Sequence, residues 1–322
     1  MENDLMMKTK CSIRILLVLL GLILSHPLVR GENLSTAANL ADGLAAIARE
    51  DSNPVYSICV IKEGATETRY IQPSSRCHNC YSIAKLFTVT AIGILEDRGF
   101  LSTNENVYPI FQDQFPEGFD PKWKDVRVCD VLSQKIGFEN GFLDIDVEEM
   151  RSWKNNDFLN LVLSHPIKYS PGTKYVYSDA AFYLASRIVT EKTGEKLDDF
   201  LIREIANPLN FSEFAFSKCP MGYPMGATGL YLSTEDVAKL GTLYIQNGKW
   251  EGKQLLSEKF VKKAFDNQFE LYRMSGFEDA FYKGGMNGQL LYMNRKTGTS
   301  CAIHSFRCDL DKLKKFLAEH DF

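Results

Sequence analysis

Between Ser82 and Leu95 the chain is largely apolar for long enough to form a buried helix, and this run opens with Ser82-Ile83-Ala84-Lys85. A helix that is apolar on every side belongs in an interior, so the remaining elements must be built around it. Residues three apart share a helical face, which brings the Lys85 amine within reach of the Ser82 hydroxyl. Burial disfavours an ammonium ion and would leave Lys85 neutral enough to take the serine proton. The N–H groups at the start of such a helix have no partner inside it and can face a developing oxyanion. A serine nucleophile with an amine one turn later is therefore the first chemical expectation.

A chain of 322 residues, 45% apolar and 24% charged, can bury one large core or two smaller ones. A formal net charge of −4, with no dense Lys/Arg stripe, excludes nucleic acid as a partner. The N-terminus differs from the rest: Lys8, Lys10 and Arg14 precede an apolar stretch from Ile15 to Leu24. That stretch is short for a membrane span. With Val29 and Gly31 ahead of a cut it reads as a secretory signal covering residues 1–31. An uncleaved segment that keeps the protein near a membrane is the alternative. Either reading puts the folded part in a secreted, periplasmic or otherwise extracytoplasmic setting. Beyond Cys11, seven cysteines remain, an odd number, so at least one thiol is free or pairs between molecules.

No repeat, low-complexity tract or long linker divides residues 32–322, which predicts a single domain. A first amphipathic helix is expected over Leu40–Ala48, then paired strands over Val55–Ile61 and Thr66–Ile71 across a Glu63-Gly64 turn. The serine helix should run to about Asp97 and end at Gly99. Helical signals follow at Val128–Leu132, Asp157–Leu163, Ala180–Lys192, Leu197–Ile205 and Thr234–Gln246. Strand character returns at Gln289–Met293 and Thr299–Phe306, around a hairpin turn at Arg295-Lys296-Thr297-Gly298, before a last helix at Leu310–Ala318. Strands at both ends with helices between them predict an α+β fold whose terminal segments share one sheet.

Serine chemistry needs a proton relay and a group that binds substrate. Tyr177-Ser178-Asp179 follows the turn Pro171-Gly172-Thr173 and immediately precedes a helix. A tyrosine held by lysines ionises more readily than a free phenol and can relay protons; the alternative is a packed loop tyrosine beside a helix cap. Two lysines compete for the third element. Lys296-Thr297-Gly298 is spelled like a Lys-Thr-Gly box but falls at a hairpin tip. Lys283-Gly284-Gly285 falls at the start of the strand-forming region, where glycine lets a substrate approach a strand edge and lysine supplies positive charge near Ser82. Lys283 is the preferred residue.

These segments together resemble the β-lactamase-related serine hydrolases, which include class C β-lactamases, serine DD-peptidases, and related esterases and amide hydrolases. Ser82 to Lys85 followed by Glu96-Asp97-Arg98-Gly99-Phe100-Leu101 is similar to the family's nucleophile helix and its exit. Val131 to Phe138, Pro171 to Gly194 and Gly226 to Leu230 resemble the segments that follow, and Gly285-Met286-Asn287-Gly288-Gln289 resembles the stretch after the third box. The resemblance implies a β-lactamase/transpeptidase-like fold, with an antiparallel sheet from the N- and C-terminal segments beside a helical subdomain. It implies that Ser82 is acylated, Lys85 activates it and Tyr177 shuttles protons. Lys283 would orient substrate and lower the Tyr177 pKa, the N–H groups of Ser82 and Met286 would form an oxyanion hole, and Gly285 and Asp179 would border the substrate. No cofactor or metal is implied. The expected partner is a small-molecule or peptide-like amide or ester.

Two residues depart from the family pattern. Asp179 stands where Asn is common, and when ionised it would pair with Lys85 or Lys283 and keep that lysine protonated. Gly284 stands where the third box often has Thr or Ser, removing a hydroxyl that holds a substrate carboxylate. A penicillin-binding-like binding or sensor protein with weakened turnover is therefore the alternative to the hydrolase. Cys77-His78-Asn79-Cys80 has CxxC spacing but no second ligand pair for zinc, and reads as a packed or bridged cysteine beside the site. His165 and His304 are expected to be structural, and Asp144 to Glu149 to be solvated surface.

Overall fold

Two segments far apart in sequence, Val55–Lys62 and Thr299–Ser305, are buried along nearly their whole length. A strand covered on both faces needs neighbours on both edges and a layer of helix above and below. The computed structural model supplies these, and it describes residues 36–50, 54–149, 153 and 155–322. The expected signal at 1–31 lies outside the described residues. Residues Thr36–Phe322 form one compact unit.

Helix α1 (Ala37–Glu50) buries Leu40, Ala41, Leu44, Ala45 and Ala48 on one stripe. Strands β1 (Val55–Lys62) and β2 (Ala65–Tyr70) follow, then β3 (Cys77–Asn79) and α2 (Ala84–Asp97). The middle of the chain contributes α3 (Val128–Leu132), α4 (Phe158–Leu163), α5 (Asp179–Thr193) and α6 (Leu197–Leu201). Next come β4 (Ala215–Phe216), β5 (Leu230–Ser233), α7 (Thr234–Ile245) and α8 (Glu258–Asp266). The chain closes with β6 (Tyr272–Arg273), β7 (Ala280–Gly285), β8 (Gln289–Asn294), β9 (Thr299–Ser305) and α9 (Asp311–His320).

The main sheet has the order β2-β1-β9-β8-β7-β6 and is antiparallel throughout. Val60 pairs with Cys301, and Leu291 pairs with Ala302 on one side and Lys283 on the other, so the two ends of the chain share this sheet as expected. Helices α1 and α9 pack on one face and α7 on the other. A smaller sheet, β3-β5-β4, leads into the helical part. Helix α2 runs through that part with every residue from Ala84 to Leu95 buried. At Gly93 an added Cβ would lie 2.4 Å from the Phe260 ring, so only glycine admits α8 this closely. Side-chain caps start the neighbouring helices: Asp236 N donates to Ser233 Oγ at 3.1 Å and Phe260 N to Ser257 Oγ at 3.0 Å.

Three expectations change. The regular helix begins at Ala84, and Ser82 lies on a preceding 3-10 turn, Tyr81–Ile83. Lys283-Gly284-Gly285 ends a strand instead of starting one. The helix expected over Leu197–Ile205 stops at Leu201 and continues as a π-helical turn, Ile202–Ala206.

Candidate active site

Three elements converge on Ser82. The first is the turn that carries it. Tyr81 has a left-handed backbone, φ 46°, a conformation few non-glycine residues adopt, and its N–H donates to Asn79 Oδ1 at 2.8 Å. This bend sets Ser82 one turn before Lys85, whose Nζ donates to Ser82 Oγ at 3.0 Å. Lys85 is 0% exposed, and its ammonium also contacts the Ala227 carbonyl at 3.0 Å and Asp179 Oδ1 at 2.7 Å.

The second element is the loop before α5. Val176 N donates to the Gln134 carbonyl at 2.9 Å, and Ser178 N to Gln134 Oε1 at 3.0 Å. A Cβ on Gly141 would lie 2.1 Å from the Tyr177 carbonyl, which shows how tightly the preceding loop clasps this one. Held in this way, Tyr177 projects into the cleft, 39% exposed, and its hydroxyl hydrogen-bonds Ser82 Oγ.

The end of β7 is the third element. Its outer neighbour β6 pairs only with Tyr282 and Phe281, so among the described residues Lys283, Gly284 and Gly285 have no strand on that edge. At Gly285 a Cβ would come within 2.5 Å of the Cys80 carbonyl, next to the nucleophile turn. Gly284 has no such constraint, the nearest atom to its Cβ position being 4.0 Å away. Asn287, at φ 61°, donates from Nδ2 to Tyr81 OH at 2.9 Å and ties the Met286–Gly288 turn to the serine turn. Ser82, Tyr177, Asp179, Lys283, Gly284 and Met286 thus line one cleft of about 540 Å3. Lys296 is not among its lining residues; it sits on the hairpin tip between β8 and β9.

Each lysine of the cleft is paired with a carboxylate, Lys85 with Asp179 as one of the two expected pairings and Lys283 with Glu270. Burial pushes the Lys85 ammonium down, but Asp179, then Tyr177 and Glu270, outweigh it and hold Lys85 above the ordinary lysine value. Of the two expectations for Lys85, a neutral amine from burial and an ammonium held by Asp179, the second agrees with the carboxylate 2.7 Å away. Burial lowers Lys283 despite its contact with Glu270 Oε2 at 2.6 Å. Tyr177 is raised by burial, with Lys85 opposing and Asp179 and Glu270 reinforcing. Lys283 Nζ is engaged by Glu270 and stands 5.9 Å from the Tyr177 ring centroid, and the net shift of Tyr177 is upward.

Residues 41–307 match the family model for Beta-lactamase. The chain belongs to the beta-lactamase family. Its fold is the β-lactamase/transpeptidase-like one, and hydrolase-type function is common to this family and the relatives that follow. The chain is 30% identical over 140 residues to the N-acetylmuramyl-L-alanine amidase of Bacillus subtilis, a match covering 41% of this chain and 31% of that enzyme. It thus spans about a third of the length of the curated relatives it matches. Among solved structures, it is similar to a candidate 6-aminohexanoate-dimer hydrolase from Bacillus anthracis (TM-score 0.72, 15% identity, 85% and 79% of the two chains covered). A family VIII carboxylesterase is similar at TM-score 0.67 and 16% identity, with 89% and 97% covered.

Several cleft residues escape the sequence. Glu270 is 1% exposed, with φ 59°, and accepts from Gln134 Nε2 at 3.0 Å and Tyr272 OH at 3.3 Å. Gln134 therefore links Ser178 N to the Glu270–Lys283 pair. Nothing local in the sequence marks Glu270; only the resemblance of Val131 to Phe138 pointed near Gln134. Asp144 and Asp146 are a correction, because they line the cleft and are not simply solvated surface. Asp146 accepts from the Thr228 hydroxyl, and burial raises its pKa. Among the described residues, Cys59, Cys77, Cys80, Cys129, Cys219 and Cys301 are free thiols. Cys80 is packed, and burial, then Glu213, pushes the Cys77 thiol up to about 12, opposite to what thiol redox chemistry needs.

Proposed function

We propose that the protein is an extracytoplasmic serine hydrolase that cleaves a neutral or cationic ester or amide through an acyl-enzyme on Ser82. The observation that carries this reading is that Ser82 Oγ meets Lys85 Nζ at 3.0 Å and the Tyr177 hydroxyl together, on the wall of an open cleft. Ser82 Oγ attacks the carbonyl as its proton passes to Tyr177. Tyr177 returns that proton to the leaving group, and water then releases the acid. The N–H groups of Ser82 and Met286 stand where the third element meets the serine turn and would hold the oxyanion.

Charge supports the choice of substrate. Lys85 is paired with Asp179 and Lys283 with Glu270, while Asp144 and Asp146 have no cation paired with them among the described residues. This surplus negative charge disfavours a substrate carboxylate, and Gly284 offers no hydroxyl to hold one. The amidase and carboxylesterase similarities support amides and esters alike. The extracytoplasmic setting rests on the cationic, then apolar, first thirty-one residues.

The Lys85–Asp179 pair favours the second reading, a binding protein without turnover. Intact mass after exposure to a fluorophosphonate separates the two. An adduct on the wild type that is absent from Ser82→Ala supports the hydrolase. A folded wild type that forms no adduct with a fluorophosphonate, an acyl ester or a penicillin supports the binding protein.

A further inference from the structure

The Lys85 ammonium donates to Ser82 Oγ and to the Ala227 carbonyl, each at 3.0 Å, and is ion-paired with Asp179 Oδ1 at 2.7 Å. The side chain is fully buried, so water does not compete for any of them. A lysine satisfied in this way donates to the serine oxygen. The hydrogen on Ser82 Oγ then points to the other neighbour, Tyr177.

We propose that Asp179 is a positioning residue that fixes Lys85 as an ammonium donor to Ser82, which leaves Tyr177 to accept the serine proton and confines rapid acylation to alkaline pH. The inference rests on Ser82 being the nucleophile. In the acylation step the Oγ–H bond breaks as the Oγ–C bond forms. The proton goes to the Tyr177 phenolate, and the carbonyl electron pair moves to its oxygen. Collapse of that intermediate breaks the bond to the leaving group, which takes the proton back from Tyr177.

Every charged group around Lys85 bears on this. Asp179 and Tyr177 face it from the start of α5 and the loop before it, with Tyr175 further along that loop. Glu270 and Lys283 act from the sheet side, Asp146 from the cleft rim, and Asp144 acts on Asp179. Of these, only Asp179 forms an ion pair with the ammonium among the described residues. Its carboxylate raises both Lys85 and Tyr177. Removing that charge while keeping the shape would leave only Tyr177 and Glu270 to oppose burial at Lys85, so that the amine becomes a base at lower pH.

The test is Asp179→Asn. The second-order rate of Ser82 labelling by a fluorophosphonate is followed from acid to alkaline pH, with thermal melting as a control for folding. The wild-type rate should climb into the alkaline range. In Asp179→Asn the rising limb should move down by about one to two pH units, with labelling at neutral pH faster by about tenfold. A lower rate with an unmoved limb would make Asp179 merely structural and overturn the proposal. A readout independent of activity is lysine ε-carbon NMR, with the Lys85 signal assigned by its loss in Lys85→Ala. The proposal expects an ammonium beyond about pH 10 in the wild type and titration below that in Asp179→Asn. A wild-type Lys85 already neutral near pH 8 would contradict it. If no wild-type labelling occurs at any pH, the nucleophile assignment fails instead, and the NMR result still decides the state of Lys85.

Discussion

Lys283-Gly284-Gly285 and Lys296-Thr297-Gly298 lie in neighbouring parts of one sheet, and the contrast between them shows what makes a lysine chemical. Lys296 has the better spelling, but it occupies a hairpin tip. There Asn294 Oδ1 accepts from Lys296 N at 3.0 Å and Thr297 N at 3.3 Å, Gly298 takes φ 70°, and Thr297 Oγ1 reaches Asp321 Oδ2 at 2.9 Å. Each of these contacts builds a turn. Lys283 stands on a strand end that pairs with β8 but not with β6, 3% exposed, against a buried carboxylate and beside the serine turn. Position on the sheet edge, more than the letters of a box, decides which lysine lines the cleft.

The contrast breaks first at Lys283→Ala. Turnover should fall by about 100-fold or more, and the buried Glu270 left without its partner should cost about 3 kcal/mol of stability. Ester kinetics and denaturant unfolding measure the two effects, and a loss under tenfold would move the substrate lysine elsewhere. Glu270→Gln leaves Lys283 in place but without its counter-charge, and should lower activity by about tenfold while shifting the pH profile. Gly284→Ser sharpens the comparison. The site has room for the side chain, so a hydroxyl there should raise labelling by a penicillin relative to a neutral ester, and an unchanged ratio would show that the hydroxyl plays no part.

The smallest effects are expected at the hairpin. Thr297→Ala should cost about 1 kcal/mol through the Asp321 hydrogen bond with activity unchanged, and Lys296→Ala should be silent in both assays. The sheet also has its own pH signature. Burial pushes His304 down to about 3, so the unfolded chain binds a proton that the folded chain refuses. That contribution is fully present above about pH 6.5 and is lost as pH falls toward 3. Melting temperature should decline across this window, and His304→Gln should flatten the decline.

Much of the fold was legible because it follows from periodicity and apolar runs. The α2 run, the β8–β9 hairpin and the sharing of one sheet by the two chain ends all show in the order of residues. The serine, first lysine and tyrosine of the site were legible because each lies next to an element boundary. Glu270 and Gln134 were not, since both reach the site through left-handed backbone positions that no composition signal marks. Asp144 and Asp146 looked like surface because an acidic run reads the same whether it faces bulk water or a cleft. The ionisation of Lys85 was half legible: its burial and a pairing of Asp179 with Lys85 or Lys283 are visible in the sequence, but which lysine that carboxylate meets is not.

The central claim is that Ser82 is a working nucleophile. Intact-protein mass after timed exposure to a fluorophosphonate, at neutral and at alkaline pH, tests it most directly. One adduct should form on the wild type, faster at the higher pH, and none should form on Ser82→Ala. Equal labelling of that variant, or a folded wild type that stays unlabelled at both pH values, would contradict the account.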